Sequence, residues 1–229
     1  MPPPQPPPPA PPVSRRQGHQ IEPVDPGGLS AIIAYGTPTP ELWEAASRTG
    51  GLVVRSAAGG DAPAWMPAPR RAWDDCAAAL SQEAARRNVD LLLWPHAEDV
   101  VSDLPGIVQF FRSGPGSLTR PGADPGSAKS NVWSLLLDPA ALLTPAMLAD
   151  ADDHVSRMAE AARSLDVLQG AVKALLVRER QVGGGFAPVA PESAWAGVLQ
   201  RAWRAALRDV SPRLVLEGDV ESQRALLIG

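Results

Sequence analysis

Asp90-Leu-Leu-Leu-Trp-Pro-His96 and Val132-Trp-Ser-Leu-Leu-Leu-Asp138 decide the fold class. Each holds an apolar run, Leu91–Leu93 and Leu135–Leu137, with no polar residue alternating through it. A strand with one wet face would alternate, so these runs describe strands covered on both faces, as in the middle of a parallel sheet. Outward from them, further short apolar runs predict strands at Ala31–Gly36, Leu52–Ala57, inside Val167–Val177, and at Arg213–Glu217. Between the runs lie helical patterns. Trp73, Cys76, Ala77, Leu80 and Ala84 recur at steps of three and four, as do Val155, Met158, Ala159, Ala162 and Leu165. A third stripe runs through Trp195, Val198, Leu199, Ala202, Trp203, Ala206 and Leu207, and a shorter helix is predicted over Leu104–Arg112. Strands alternating with amphipathic helices are the signature of βα units, so the expected class is α/β with parallel strands.

Composition narrows the function classes. With 229 residues, 45% of them hydrophobic, the chain can bury a core of single-domain size. A formal net charge of -4 argues against a polyanion-binding surface, so no nucleic-acid partner is expected. Cys76 is the only cysteine, which rules out an intrachain disulfide and suits a reducing, cytoplasmic compartment. No window reaches the roughly 20 apolar residues of a membrane span, and Ser130–Leu143 is broken by Asp138 and Pro139. No membrane partner is expected.

Nine of the first twelve residues are proline, which favours a solvated polyproline II leader. Residues 1–28 are therefore expected to form a disordered proline-rich tail and 29–229 the folded domain. Gly183, Gly184 and Gly185 mark a loop; a phosphate cradle would require a helix directly after them, but two prolines follow first. The tryptophans at 195 and 203 share their stripe with aliphatic residues and are expected in the core, as is Cys76. His154, beside Asp152 and Asp153, sits at a predicted helix start, where acidic residues complement the dipole.

The stretches Asp90–His96, Leu135-Leu-Leu-Asp-Pro-Ala140 and Arg213-Leu-Val-Leu-Glu-Gly218 resemble, in order and spacing, motifs of the xylose isomerase-like barrel superfamily, the sugar phosphate isomerases and epimerases. Pro40–Ala46 leading into Gly51-Leu-Val-Val-Arg55 is similar to the helix and strand that precede that family's first ligand. The resemblance implies a (β/α) TIM-type barrel, partial or complete, with a divalent metal at the carboxyl ends of its strands and a sugar or related polyol as ligand. Six strands are predicted where eight are typical, so the missing two would precede Ala31 or come from a partner chain in a homo-oligomer.

Residue by residue, the resemblance makes His96, Asp138 and Glu217 the catalytic candidates, with Glu217 or Asp138 as general base and His96 as acid or orienting group. Asp138 and Glu217 match metal-ligand positions. Trp94 stands where the family places its first acidic ligand, and Ala141 where it places a histidine. Gln169 replaces the histidine of the next strand, which makes Trp94 and Gln169 substrate-binding candidates and leaves the metal site weak or lost. Each residue also has a structural reading: Asp138 before Pro139 can end a strand, Glu217 before Gly218 can be a solvated terminus, and His96 can donate to a carbonyl. Two functions follow as expectations, a divergent isomerase or epimerase and a catalytically inactive barrel that binds or regulates. An endonuclease IV-like repair enzyme would need more than the three histidines present.

Overall fold

The computed structural model describes residues 23–24, 31–35, 38–49, 51–57, 63–119, 131–168, 170–210 and 213–216, together with 225 and 227. Its centre is a seven-stranded sheet. The strands are β1 (Pro23–Val24), β2 (Ala31–Tyr35), β3 (Gly51–Arg55), β4 (Asp90–Leu93), β5 (Trp133–Leu137), β6 (Val172–Val177) and β9 (Arg213–Leu216). They lie side by side in chain order. From β2 onward every neighbouring pair is parallel, and only β1 runs antiparallel, against β2. The protein is thus α/β with a parallel sheet, and the six strands expected from apolar runs are its six parallel strands.

The connecting helices are α1 (Pro40–Thr49), α2 (Pro67–Arg87), α3 (Leu104–Ser113), α4 (Ala151–Ser164) and α5 (Ala194–Ala202). Their ends follow local chemistry. Proline in the first turn of α2 costs no hydrogen bond, and Asn88 closes that helix in the left-handed region at φ 54°, where its amide reaches back to Ala84 and Ala85. Asp103 caps α3 by accepting from Gly106 N at 2.8 Å, and Ser193 caps α5 by accepting from Ala196 N at 3.3 Å. Asp152 and Asp153 occupy the first turn of α4, as their position beside His154 predicted.

Strand pleating divides the buried residues into two layers. Leu52 and Val54, Leu91 and Leu93, Leu135 and Leu137, and Leu175 and Val177 join the helix stripes in one large cluster. Val53, Leu92, Trp94, Leu136, Ala174 and Leu176 form a separate, smaller cluster on the opposite face. Alternation along each strand produces this division, because successive side chains point to opposite faces. Val172 breaks parity with Ala174, yet it belongs to the helix side; the ladder shifts register between Leu135 and Leu136, and the extra residue resets the phase.

Two expectations need correction. Asp90–His96 is too long for β4, which ends at Leu93 as the chain turns towards Pro95. The helix expected through Leu207 is α5 followed by a π-helical turn, Trp203–Leu207, and the short α6 (Arg208–Val210), since one inserted residue widens the i→i+4 ladder. Upstream of Leu29, β1 pairs Pro23 with Ile32 and Val24 with Ala31. An edge position tolerates that proline, which has no N–H to donate. The loop expected at Gly183–Gly185 is present, as the turn of a small antiparallel hairpin, β7 (Glu179–Arg180) with β8 (Phe186–Ala187). Gly184 and Gly185 adopt φ of 90° and 80°, which a side chain would resist. Among the described residues, no helix is long and apolar enough to cross a membrane.

Candidate functional site

The site follows from strand parity. Two residues beyond the inner-layer positions Val53, Leu92, Leu136 and Leu176 come Arg55, Trp94, Asp138 and Arg178, all at the carboxyl ends of neighbouring parallel strands. A period of two places them on the same face as the inner cluster. Their side chains meet. Trp94 Nε1 donates to Asp138 Oδ2 at 2.9 Å, and Arg178 Nη2 lies 2.5 Å from the same oxygen. The amide of Ala141 donates to Oδ1 at 3.1 Å. Asp138 is 0% exposed and Arg178 6%. A charge pair this deep persists only because each oxygen of the carboxylate is met by donors.

Arg55 reaches across to the loop after β4, where Nη2 and Nε meet the two oxygens of Asp99 at 2.7 and 3.1 Å. Burial pushes the Asp99 carboxyl above its ordinary range, and the Arg55 guanidinium opposes that shift. Ser56 fixes the same loop, since its buried hydroxyl accepts from Val101 N at 3.0 Å.

His96 lies between these pairs. Its ring packs edge-on against Trp94, centroids 4.6 Å apart, and against Phe186 of β8 at 6.0 Å. Phe186 is itself covered by cations: the guanidinium carbons of Arg178 and Arg180 lie 3.5 and 4.9 Å from its centroid. The hairpin therefore folds an aromatic ring and a third arginine over the end of β4. His96 is 7% exposed, and its Nε2 is buried with no hydrogen-bond partner. Burial first, then the positive fields of Arg55, Arg178 and Arg180, push its pKa down to about 2.

No protein-family model matches the chain, and no curated protein matches it. The chemistry of the site is therefore argued from its own residues. His96 and Asp138, expected at one end of a parallel sheet, do follow adjacent strands β4 and β5. Trp94 joins them as the hydrogen-bond donor that holds Asp138. Gln169 and Glu217 lie outside the described residues. Sequence reasoning missed Arg178, Asp99, Arg180 and Phe186. For Arg178 the signal was present, two residues past Leu176 as Asp138 is two past Leu136. Asp99, Arg180 and Phe186 stand on turns and two-residue strands, where no periodicity marks them. A divalent cation does not fit Asp138 here, because its carboxylate is already engaged by an indole N–H, a backbone N–H and a guanidinium. Among the described residues, no three His, Cys, Asp or Glu side chains gather into a ligand set.

The depressed pKa of His96 sets a pH dependence. In the unfolded chain the imidazole takes its proton near its ordinary value of about 6.5, while the fold keeps it neutral down to about 2. The unfolded state therefore binds more protons as pH falls, so this contribution is complete above about 6.5 and is lost progressively towards 2. Between pH 7 and pH 5 the loss should be about 2 kcal/mol. Asp99 carries the opposite sign, because its raised pKa favours the folded state as acid protonates it. Urea unfolding of wild type and His96→Gln at both pH values separates the two, with the variant expected to show the smaller loss. Equal losses in both proteins would remove His96 as the cause.

Proposed function

We propose that the parallel sheet curls as a (β/α) barrel of the xylose isomerase-like kind, and that the polar layer at its carboxyl edge binds a sugar or related polyol without a divalent metal. The observation that carries the metal-free reading is the saturation of Asp138 by Trp94, Ala141 N and Arg178. A guanidinium already supplies the positive charge that a metal would bring to that carboxylate, and a cation would have to displace it from a buried site. Strand order supports the barrel. Six parallel strands follow one another without the reversal that divides a doubly wound sheet, and the inner face carries its own buried layer.

Binding is favoured over turnover on the same grounds. Asp138 is poorly placed to act as a general base while three donors hold it, and neutral His96 has no imidazolium proton to give at neutral pH. Aromatic rings beside fixed charged donors and acceptors are the surfaces on which a polyol is held. Isomerase or epimerase activity would have to draw its base from Glu217. Calorimetric titration of the full chain with D-xylose and xylitol, with and without EDTA, tests the proposal. Binding unchanged by EDTA is the expected result. Tight stoichiometric manganese binding that is lost in Asp138→Ala would overturn the metal-free reading, and no heat with either polyol at millimolar concentration would overturn the polyol reading.

A further inference from the structure

Buried polar atoms around His96 are not all met among the described residues. Three guanidiniums, those of Arg55, Arg178 and Arg180, act on the ring, and two buried carboxylates, Asp99 and Asp138, pair with the first two. Arg180 stacks on Phe186 and makes no ion pair among the described residues; its Nε is buried without a hydrogen-bond partner. The neighbouring Glu179 accepts from Gln181 Nε2 at Oε1, 2.6 Å away, and its Oε2 is buried without a hydrogen-bond partner among the described residues. Beside Arg180 stands the second orphan, His96 Nε2, on a side chain more than nine-tenths buried. Two buried nitrogens that lack partners among the described residues thus belong to side chains packed against one aromatic ring, Phe186. Leaving such groups unmet is costly, so a ligand that satisfies both is favoured.

We propose that His96 and Arg180, roofed by Phe186, form a seat for one oxyanion, the carboxylate or phosphate of a small ligand. The Nε2–H tautomer of His96 donates one hydrogen bond, and the Arg180 guanidinium donates one or two charge-assisted ones. Arg178 stays with Asp138 and contributes its field. The neutral imidazole suits this role, since it donates without adding a fourth charge to the unliganded protein. The β7–β8 hairpin carries both Arg180 and Phe186, so its short glycine turn fixes the seat over the end of β4. This inference deepens the polyol reading by making the ligand an anionic one, and it can fail separately.

The test uses the full chain and three probes: inorganic phosphate, sodium gluconate and neutral xylitol. Phosphate or gluconate should bind wild type with an affinity that falls as salt rises, and Arg180→Gln and His96→Gln should each weaken it at least tenfold. Arg180→Lys, which keeps the charge, should recover part of that loss. Thermal melts of each variant check folding. The stronger of the two anions identifies the oxyanion. Anion binding that ignores Arg180→Gln and His96→Gln, or no anion binding at millimolar concentration, overturns the seat. Anion binding lost in both variants, with no response to xylitol, upholds the seat and overturns the polyol reading.

Discussion

Replacing Asp138 by alanine should cost about 3–5 kcal/mol of folding free energy, the largest effect of any single change in the polar layer. The variant removes the carboxylate just after β5 that pairs with Arg178, a charge at 6% exposure. It also strips the acceptor from Trp94 Nε1 and from the amide of Ala141. Restoring water to either group would require opening the inner face. Asp138→Asn should cost less, because an amide oxygen can still accept from Trp94 and only the carboxylate charge facing Arg178 is lost. The pair can be apportioned by a double-mutant cycle. Arg178→Met in the Asp138→Ala background should recover a large part of the loss, since a buried pair replaced on both sides by neutral groups is often close to neutral. Urea unfolding followed by circular dichroism reads all four proteins. A loss below 1 kcal/mol for Asp138→Ala would mean that water already reaches the carboxylate and that the inner layer is open.

That cluster shows how far the sequence could be followed. Apolar runs at Leu91–Leu93 and Leu135–Leu137 placed β4 and β5 because short strands covered on both faces leave an unbroken apolar run between helical patterns. Asp138 and His96 stood out because the resemblance to xylose isomerase-like motifs set ligand positions at the ends of those runs. Arg178 closes Val172–Val177 in the same way, but Lys173 and the register shift beside it break the alternation and hide that strand's phase. The hairpin was illegible for a different reason. Two residues on each side of a turn are fewer than one period of any pattern, so Arg180 and Phe186 looked like parts of a loop. The double role of Trp94 could not be read either: as a replacement for a carboxylate it suggested lost chemistry, whereas its indole N–H is the group that holds the neighbouring carboxylate in place. Which donor meets which acceptor across 44 positions of sequence depends on the stagger of adjacent strands, and that is fixed by packing of the whole sheet.

The helix side of the sheet supports a second large effect. Trp133→Ala should lower stability by about 3–5 kcal/mol, through lost burial and the cavity left behind. Trp133 opens β5 in register with Leu91, is 1% exposed, and heads the fully buried side chains by size. Its ring meets Phe110 of α3 edge-on at 5.1 Å and Trp73 of α2 at 6.3 Å, so one side chain joins two helices to the central strand. Its polar atom is also met: Nε1 donates to Ser81 Oγ at 2.7 Å, and that hydroxyl donates to Ala77 O at 2.7 Å. Collapse of the surrounding residues into the gap is opposed by their own anchoring in two helices. Trp133→Phe keeps most of the apolar contact and should cost less than the alanine change. Ser81→Ala leaves a buried indole N–H unmet and should cost about 1–3 kcal/mol with almost no change in volume. Chemical denaturation monitored by circular dichroism separates these contributions, because the alanine change loses volume and hydrogen bond together while Ser81→Ala loses only the bond. If Ser81→Ala proved as damaging as Trp133→Ala, the hydrogen bond and not the packing would hold α2 to the sheet.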